Sequence, residues 1–96
     1  MADDFTISVY INDENIHLRL SGEWDEFSTN ELINVLDRYC RRDSRIFIHT
    51  NCLKQVRPFH RELLQSYLDR MKGKCLPPIF TGDNAYRLAP NGSKLY

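Results

Sequence analysis

The sequence has no excess charge of either sign, because its 13 basic residues are balanced by 13 acidic ones. A chain without net charge has no overall field to attract nucleic acid or an anionic membrane surface. Binding of either kind would therefore require a local basic patch. We expect no nucleic acid among the partners of this protein.

Long apolar runs are absent as well. No segment approaches the roughly 18 consecutive apolar residues of a transmembrane helix, so membrane insertion is not expected. The N-terminal sequence MADDF is acidic and no apolar stretch follows it, which is unlike a secretory signal peptide. The odd, widely spaced set of Cys40, Cys52 and Cys75 is typical of reduced thiols rather than of a disulfide framework. These features predict a cytoplasmic protein.

The sequence also lacks the motifs that mark many catalytic sites. It contains no glycine-rich phosphate loop, no metal-binding box and no evident pairing of a nucleophile with a base. His49 and Cys52 form an H-x-x-C pair, but zinc would need two more ligands, and Cys40 and Cys75 stand at no motif spacing from it. We therefore expect no enzyme activity, no cofactor and no metal site.

The patterns that are present predict regular secondary structure. A length of 96 residues suits one domain, which we assign to residues 1–96. Residues 5–11 and 16–21 alternate apolar with polar side chains, as strands with one buried face do. Gly22 is expected to end the second strand.

Two amphipathic helices follow, separated by a strand. Ser28 is predicted to cap the first helix, with Glu31 as its capping-box partner. Residues 46–48, Ile-Phe-Ile, form a continuous apolar run, which predicts a strand buried on both faces. Pro58 suits the first turn of the second helix, and Gly73 lies where a glycine would end it.

Residues 75–81 predict a fourth strand, which is peripheral at its start because Pro77 and Pro78 cannot donate ladder hydrogen bonds. The element order is therefore ββαβαβ with a short C-terminal tail. Helices between the later strands imply parallel pairing, and the opening strand makes the sheet mixed. We predict an α/β fold, with a mixed sheet of four to five strands and helices packed against it.

The C-terminal tail allows two interpretations. Residues 86–88 and 94–96 flank a turn-forming sequence at 90–92, which favours a small hairpin. The competing interpretation is one helical turn at residues 84–88, ended by Pro90.

Two local sequences connect this order to a known family. Ser21-Gly22-Glu23-Trp24-Asp25 is similar to the Gly-Glu-hydrophobic-Asp element that precedes the first helix of STAS domains, and Ile79-Phe80-Thr81-Gly82 resembles the family's last strand with its glycine. Over residues 5–82 the chain resembles a STAS domain, the fold of anti-sigma-factor antagonists. The resemblance implies a non-catalytic module of bacterial signalling and transcription regulation. Its partner would be an anti-sigma factor, a kinase-like protein or a transporter subunit.

The chain departs from that family at the start of the second helix. There the family carries a Ser or Thr that a partner kinase phosphorylates, whereas residues 57–60 here are Arg-Pro-Phe-His. No hydroxyl side chain lies between Thr50 and Ser66. We expect a constitutive binder, or one under another control, rather than a Ser/Thr-phosphorylation switch.

Candidate partner-binding residues cluster around this helix start. The resemblance and the basic, aromatic character of this end select six residues: Trp24, Phe27, Arg57, Phe59, His60 and Arg61. The loop predicted over residues 51–56 belongs to the same surface. Two alternatives stay open, in which the aromatic pair is a lid over the core and the cations are a solvated helix end. The alternative functions are a small-molecule or anion-binding domain using the same cations, and a structural or STAS-type subunit of a transporter or other complex.

Overall fold

A computed structural model describes residues 5–90, 94 and 95. The described chain forms an α/β fold with a mixed sheet, as predicted. Its elements are β1 (Thr6–Asn12), β2 (Asn15–Trp24), α1 (Glu26–Arg38), β3 (Arg45–Val56), α2 (Arg61–Arg70), β4 (Ile79–Thr81), α3 (Ala85–Leu88) and the two-residue β5 (Lys94–Leu95).

The strands lie side by side in the order in which they occur in the chain, β1 to β5. β1 is antiparallel to β2, and the later pairs are parallel. The crossovers through α1 and α2 each move one strand in the same direction. Because parallel crossovers are right-handed, both helices must lie on the same face of the sheet.

This face, the inner face, carries the hydrophobic core. Alternate residues of the central strands are buried there beneath the helices, and α3 adds Ala85 and Leu88 to the same cluster. The strand contribution includes Ile16, Leu18, Leu20, Ile46, Ile48 and Phe80. The core therefore lies between one sheet face and one helix layer.

The intervening residues of β2 and β3 point to the opposite face, the outer face, and all of them retain some solvent exposure. They are Asn15, His17, Arg19 and Ser21 of β2 and Arg45, Phe47 and His49 of β3. The prediction that residues 46–48 are buried on both faces is wrong for Phe47, because no helix of the described chain covers its side.

Both central strands are longer than predicted. Gly22 does not end β2, because its φ of 92° and two shifts of register let the strand bend and remain paired with β3 as far as Trp24. β3 runs on to Val56, so the predicted loop at residues 51–56 is a strand. The continued pairing brings Trp24 opposite Val56.

The helix starts also differ from prediction. Asp25, not Ser28, caps α1; the Ser28 amide donates to Asp25 Oδ1 over 3.1 Å, and the Asp25 amide donates to Ser28 Oγ over 3.1 Å. α2 begins at Arg61, so Pro58 precedes it. Gly73 lies two residues beyond the C-cap of α2 with a φ of 82°, a conformation that glycine adopts readily.

The C-terminal segment contains the single helical turn of the second interpretation of the tail. Residues 85–88 are helical, so the hairpin interpretation is wrong for them; the predicted turn at Asn91 and Gly92 and the final Tyr96 lie outside the described residues. Apolar burial decides the outcome, because one helical turn directs both Ala85 and Leu88 into the core.

The cysteine prediction is wrong for two of the three residues. Cys40 and Cys75 form a disulfide, with their Cα atoms 5.3 Å apart across a sequence separation of 35. The bond joins the chain just after α1 to the chain just after α2. Cys52 is a free, exposed thiol.

Candidate protein-interaction site

The segments that hold the predicted partner-binding residues meet at one end of the sheet. The Arg57 amide donates to the Trp24 carbonyl over 2.8 Å, and the His60 amide donates to the Glu26 carboxylate over 2.6 Å. The extension of β2 and β3 produces this meeting, since it carries both strands to the points where α1 and α2 begin.

Trp24 belongs to the core at this end. Its side chain is fully buried, and its ring meets those of Phe5 and Phe59 edge-to-face, with centroids 5.5 Å away in each case. Its indole N–H has no hydrogen-bond acceptor among the described residues. Of the two interpretations of Trp24, the lid over the core is confirmed and the exposed anchor is wrong, because β2 continues to this residue and alternation turns its side chain inward. Phe59, half-buried, supports Trp24 from the side of α2.

Phe27 is the exposed aromatic of this end, with 79% of its surface accessible. It lies in the first turn of α1, and the next two residues, Ser28 and Thr29, are buried. The reciprocal bonds between Asp25 and Ser28 fix this turn. Phe27 is therefore an exposed apolar side chain on a capped helical turn.

Tyr86 is a second exposed aromatic, which is not among the residues predicted from the sequence. It is 60% accessible, and its carbonyl accepts a hydrogen bond from the Arg61 guanidinium over 3.3 Å. The sequence signal was available in the helical alternative for the tail. A helical turn with Ala85 and Leu88 in the core turns Tyr86 outward.

The predicted cations are largely neutralised within the chain. The Arg57 guanidinium lies 3.3 Å from the Glu23 carboxylate, and His60 Nδ1 lies 3.0 Å from Glu26 Oε1. Exposed pairs of this kind contribute about 0–1 kcal/mol to stability. Their larger effect is on the local field, because Glu23 cancels the charge of Arg57 and Glu26 places a negative charge beside His60.

A cavity of about 220 Å³ lies at the other end of the sheet and is lined mostly by apolar side chains. Leu36, Ile46, Met71 and Pro78 are among the residues that line it. Arg57, His60 and Arg61 do not line this cavity. The predicted cations and the cavity are therefore separate features.

Thr50, one of the two hydroxyls that flank the gap, lies mid-strand in β3 and is fully buried. Its hydroxyl donates to the Thr81 carbonyl over 2.7 Å and accepts from the Asn84 amide over 3.2 Å. A Cβ added to Gly82 would lie 2.8 Å from Thr50 Oγ1, so glycine permits this close approach. Ser66, the other flanking hydroxyl, is exposed on α2.

The H-x-x-C pair is split by its surroundings. His49 hydrogen-bonds to His17 through Nε2 over 2.9 Å and to Thr81 through Nδ1 over 2.6 Å. Burial lowers the pKa of His49 below its usual value, and the nearby His17 and Arg19 lower it further. Within residues 5–90, 94 and 95, no three His, Cys, Asp or Glu side chains are grouped so as to hold a metal ion.

Comparison with known proteins gives no match to any family model and no match to a curated protein sequence. In the described ranges no helix combines the length and apolar character that a membrane span requires.

Proposed function

We propose that this chain is a non-catalytic regulatory domain of the STAS type that binds a protein partner through the end of the sheet where α1 and α2 begin. The binding surface, which we call the docking end, consists of Phe27, Arg57, His60, Arg61 and Tyr86. The observation that carries the proposal is the 79% exposure of Phe27 on a capped helical turn.

The composition of the docking end supports a protein partner. Arg and Tyr are enriched among the residues that dominate binding energy at protein interfaces. Burial of a Phe side chain against a partner contributes roughly 1.5–3 kcal/mol. Because the turn that holds Phe27 is already ordered, little conformational entropy remains to be lost on binding.

The contacts also distinguish this proposal from the anion-binding alternative. An anion at the start of α2 would have to compete with Glu23 and Glu26. These carboxylates already lie beside Arg57 and His60, two of the three side chains that would bind the anion. A protein partner instead meets paired charges around an exposed aromatic, an arrangement suited to a polar rim.

The class of partner follows from the resemblance stated above. An anti-sigma factor or kinase-like protein is the expected partner, with a transporter subunit as the alternative. Regulation by Ser/Thr phosphorylation at the docking end is not proposed. The segment that leads into α2 carries no Ser or Thr. The Thr50 hydroxyl is buried, and it both donates and accepts a hydrogen bond within the chain.

The test is affinity capture from the native host with wild-type protein and the Phe27→Ala/Tyr86→Ala double variant. Alanine is a strong helix former, so both helical turns should persist. We expect the double variant to lose the partner that wild-type protein retains. The matched control is Ile11→Ala, which removes a large apolar side chain that is 64% exposed on β1, away from the docking end.

Two results would contradict the proposal. One is an identical set of captured proteins for the wild type and the double variant. The other is a thermal shift of the isolated chain with a nucleotide or organic phosphate that the Arg57→Gln/Arg61→Gln variant abolishes. A ligand present at 100 times its Kd for a single site adds about 2.7 kcal/mol to the free energy of unfolding, so such binding would be visible.

A further inference from the structure

The outer face is unusual for a sheet with so much parallel pairing. Parallel sheets are ordinarily covered on both faces, since their crossover connections carry helices to each side. Here the crossovers through α1 and α2 run in one direction and place both helices on the inner face. The described chain therefore leaves the outer sides of β2 and β3 without a helical cover.

Charge is sorted along this face. Between the β1–β2 turn and the bend at Gly22, the outer positions of β2 and β3 carry two arginines, Arg19 and Arg45, with His17 and His49 between them, and no carboxylate. The facing positions of β1 add Thr6, Ser8, Tyr10 and Asn12. The two guanidinium groups thus form a local basic patch in a chain with zero net charge. Carboxylates are confined to its borders. Asp13 and Glu14 lie in the turn, and Glu23 lies beyond the bend, paired with Arg57.

Flat rings occupy the centre of the same face. A hydrogen bond between two ring nitrogens lies in the plane of both rings, and the planes of His17 and His49 are 6° apart. The two imidazoles therefore form a nearly coplanar pair rather than a face-to-face stack. The Phe47 ring is within 11° of parallel to both. At the edge, the Arg19 guanidinium lies over the Tyr10 ring, 5.2 Å from its centre.

These features select the occupant by chemistry. A second copy of the chain would bring Arg19 and Arg45 against the same cations of its partner, which is repulsive. An apolar helix would leave those guanidinium groups buried and unpaired. A flexible polyanion that carries its own flat rings would pair its charges with the arginines and stack its rings on the aromatic side chains.

We propose that the outer face binds single-stranded RNA or DNA. Arg19 and Arg45 contact phosphates, and the rings of Tyr10, His17 and Phe47 provide the surface on which bases stack. Stacking on aromatic side chains and tracking of the backbone by cations are the two general devices of single-strand recognition. This site is separate from the docking end, so either proposal can fail alone.

The test measures fluorescence anisotropy of a labelled single strand of roughly 12 nucleotides at about 50 mM salt and at about 200 mM salt. Two phosphate contacts predict a slope of log K against log salt of about −1.4, and Arg19→Gln should reduce it to about −0.7. Tyr10→Ala should weaken binding by about tenfold through lost stacking. Arg41→Gln removes one exposed charge from the loop after α1 and should change nothing.

Several outcomes would overturn the inference. The first is no binding at the lower salt concentration, and the second is equal affinity for a duplex of the same sequence. A third is equal weakening by Arg41→Gln. Displacement of the strand by polyglutamate at equal charge concentration would assign the face to an acidic protein instead. If Arg19→Gln fails to fold by circular dichroism, Arg19→Lys replaces it and should keep the salt slope while weakening affinity.

Discussion

The inner and outer faces of one sheet are built from alternate residues of the same strands, yet one forms the hydrophobic core and the other remains at the surface. On the inner face Ile46 and Ile48 are buried under helices, whereas the alternate residues Phe47 and His49 remain partly exposed. The difference arises from connectivity rather than from strand composition. Two crossovers in one direction determine which half of each strand becomes core and which half becomes surface.

The first way to break this comparison is to remove the largest inner-face anchor. Trp24→Ala should lower the free energy of unfolding by about 3–5 kcal/mol, because it opens a cavity between Phe5 and Phe59. That is a large share of the roughly 5–15 kcal/mol of a typical domain. Trp24→Phe should lower it by less, since it also removes an unpaired indole N–H. Urea denaturation followed by far-UV circular dichroism measures both, and equal stability of Trp24→Ala and wild type would contradict the assignment.

Reduction of the disulfide tests the helix layer that makes the inner face. Opening the Cys40–Cys75 bond should lower stability by about 2–4 kcal/mol, since it frees the chain after α1 from the chain after α2. Urea midpoints with and without dithiothreitol measure this effect in a Cys52→Ser background, which excludes the free thiol. A Cys40→Ser/Cys75→Ser variant should be insensitive to reductant. Sensitivity of that variant equal to the parent's would contradict the pairing.

A matched pair of threonines compares the two faces directly. Thr50→Val on the inner face should destabilise by about 1–3 kcal/mol, because it leaves the Thr81 carbonyl and the Asn84 amide without their hydroxyl partner. Thr81→Val on the outer face removes only the bond to His49 beside solvent. Its effect should be near 0.5–1.5 kcal/mol at most. Denaturant unfolding of both variants decides, and a larger loss for Thr81→Val would reverse the predicted order.

The smallest expected effect is a pH dependence from the outer face. His49 has a lowered pKa in the folded state, caused first by burial and then by His17 and Arg19, with Thr81 as its other neighbour. The unfolded chain therefore binds the proton more readily, so stability falls as pH decreases from about 6.5. His49→Gln should flatten the urea midpoint between about pH 7.5 and pH 5.5, whereas the exposed His60→Gln should leave the slope from His49 in place. An unchanged slope in His49→Gln would count against this account.

Periodicity predicted the elements of both faces, but sequence reasoning did not predict where two of the strands stop. Gly22 has the appearance of a strand end, and only tertiary pairing shows that a positive φ there lets β2 continue. The misplacement of Trp24 follows from that one error. Ser28 is the N3 partner of the capping box rather than its N-cap, because α1 begins at Glu26, one turn earlier than expected, with Asp25 as the N-cap.

The contents of the candidate site were predictable only in part. The sequence brought Phe27 and Arg57 to one end through the expected order of elements. It did not show that Glu23 and Glu26 neutralise the cations, since such pairs join residues 34 apart in sequence. The outer face was hidden for a related reason. Zero net charge is a property of the whole chain, and sorting of Arg19 and Arg45 onto one side requires the fold.

The agreement between strand order and chain order has a consequence for how the molecule is made. Every strand from β2 onward is added beside the one synthesised just before it, so a chain emerging from the ribosome can assemble from its N-terminus without waiting for its last residues. The β1–β2 hairpin provides the template, and each following helix and strand extend it by one unit. Through Trp24, the earliest described residue, Phe5, is linked to Phe59, which follows it by more than half the chain.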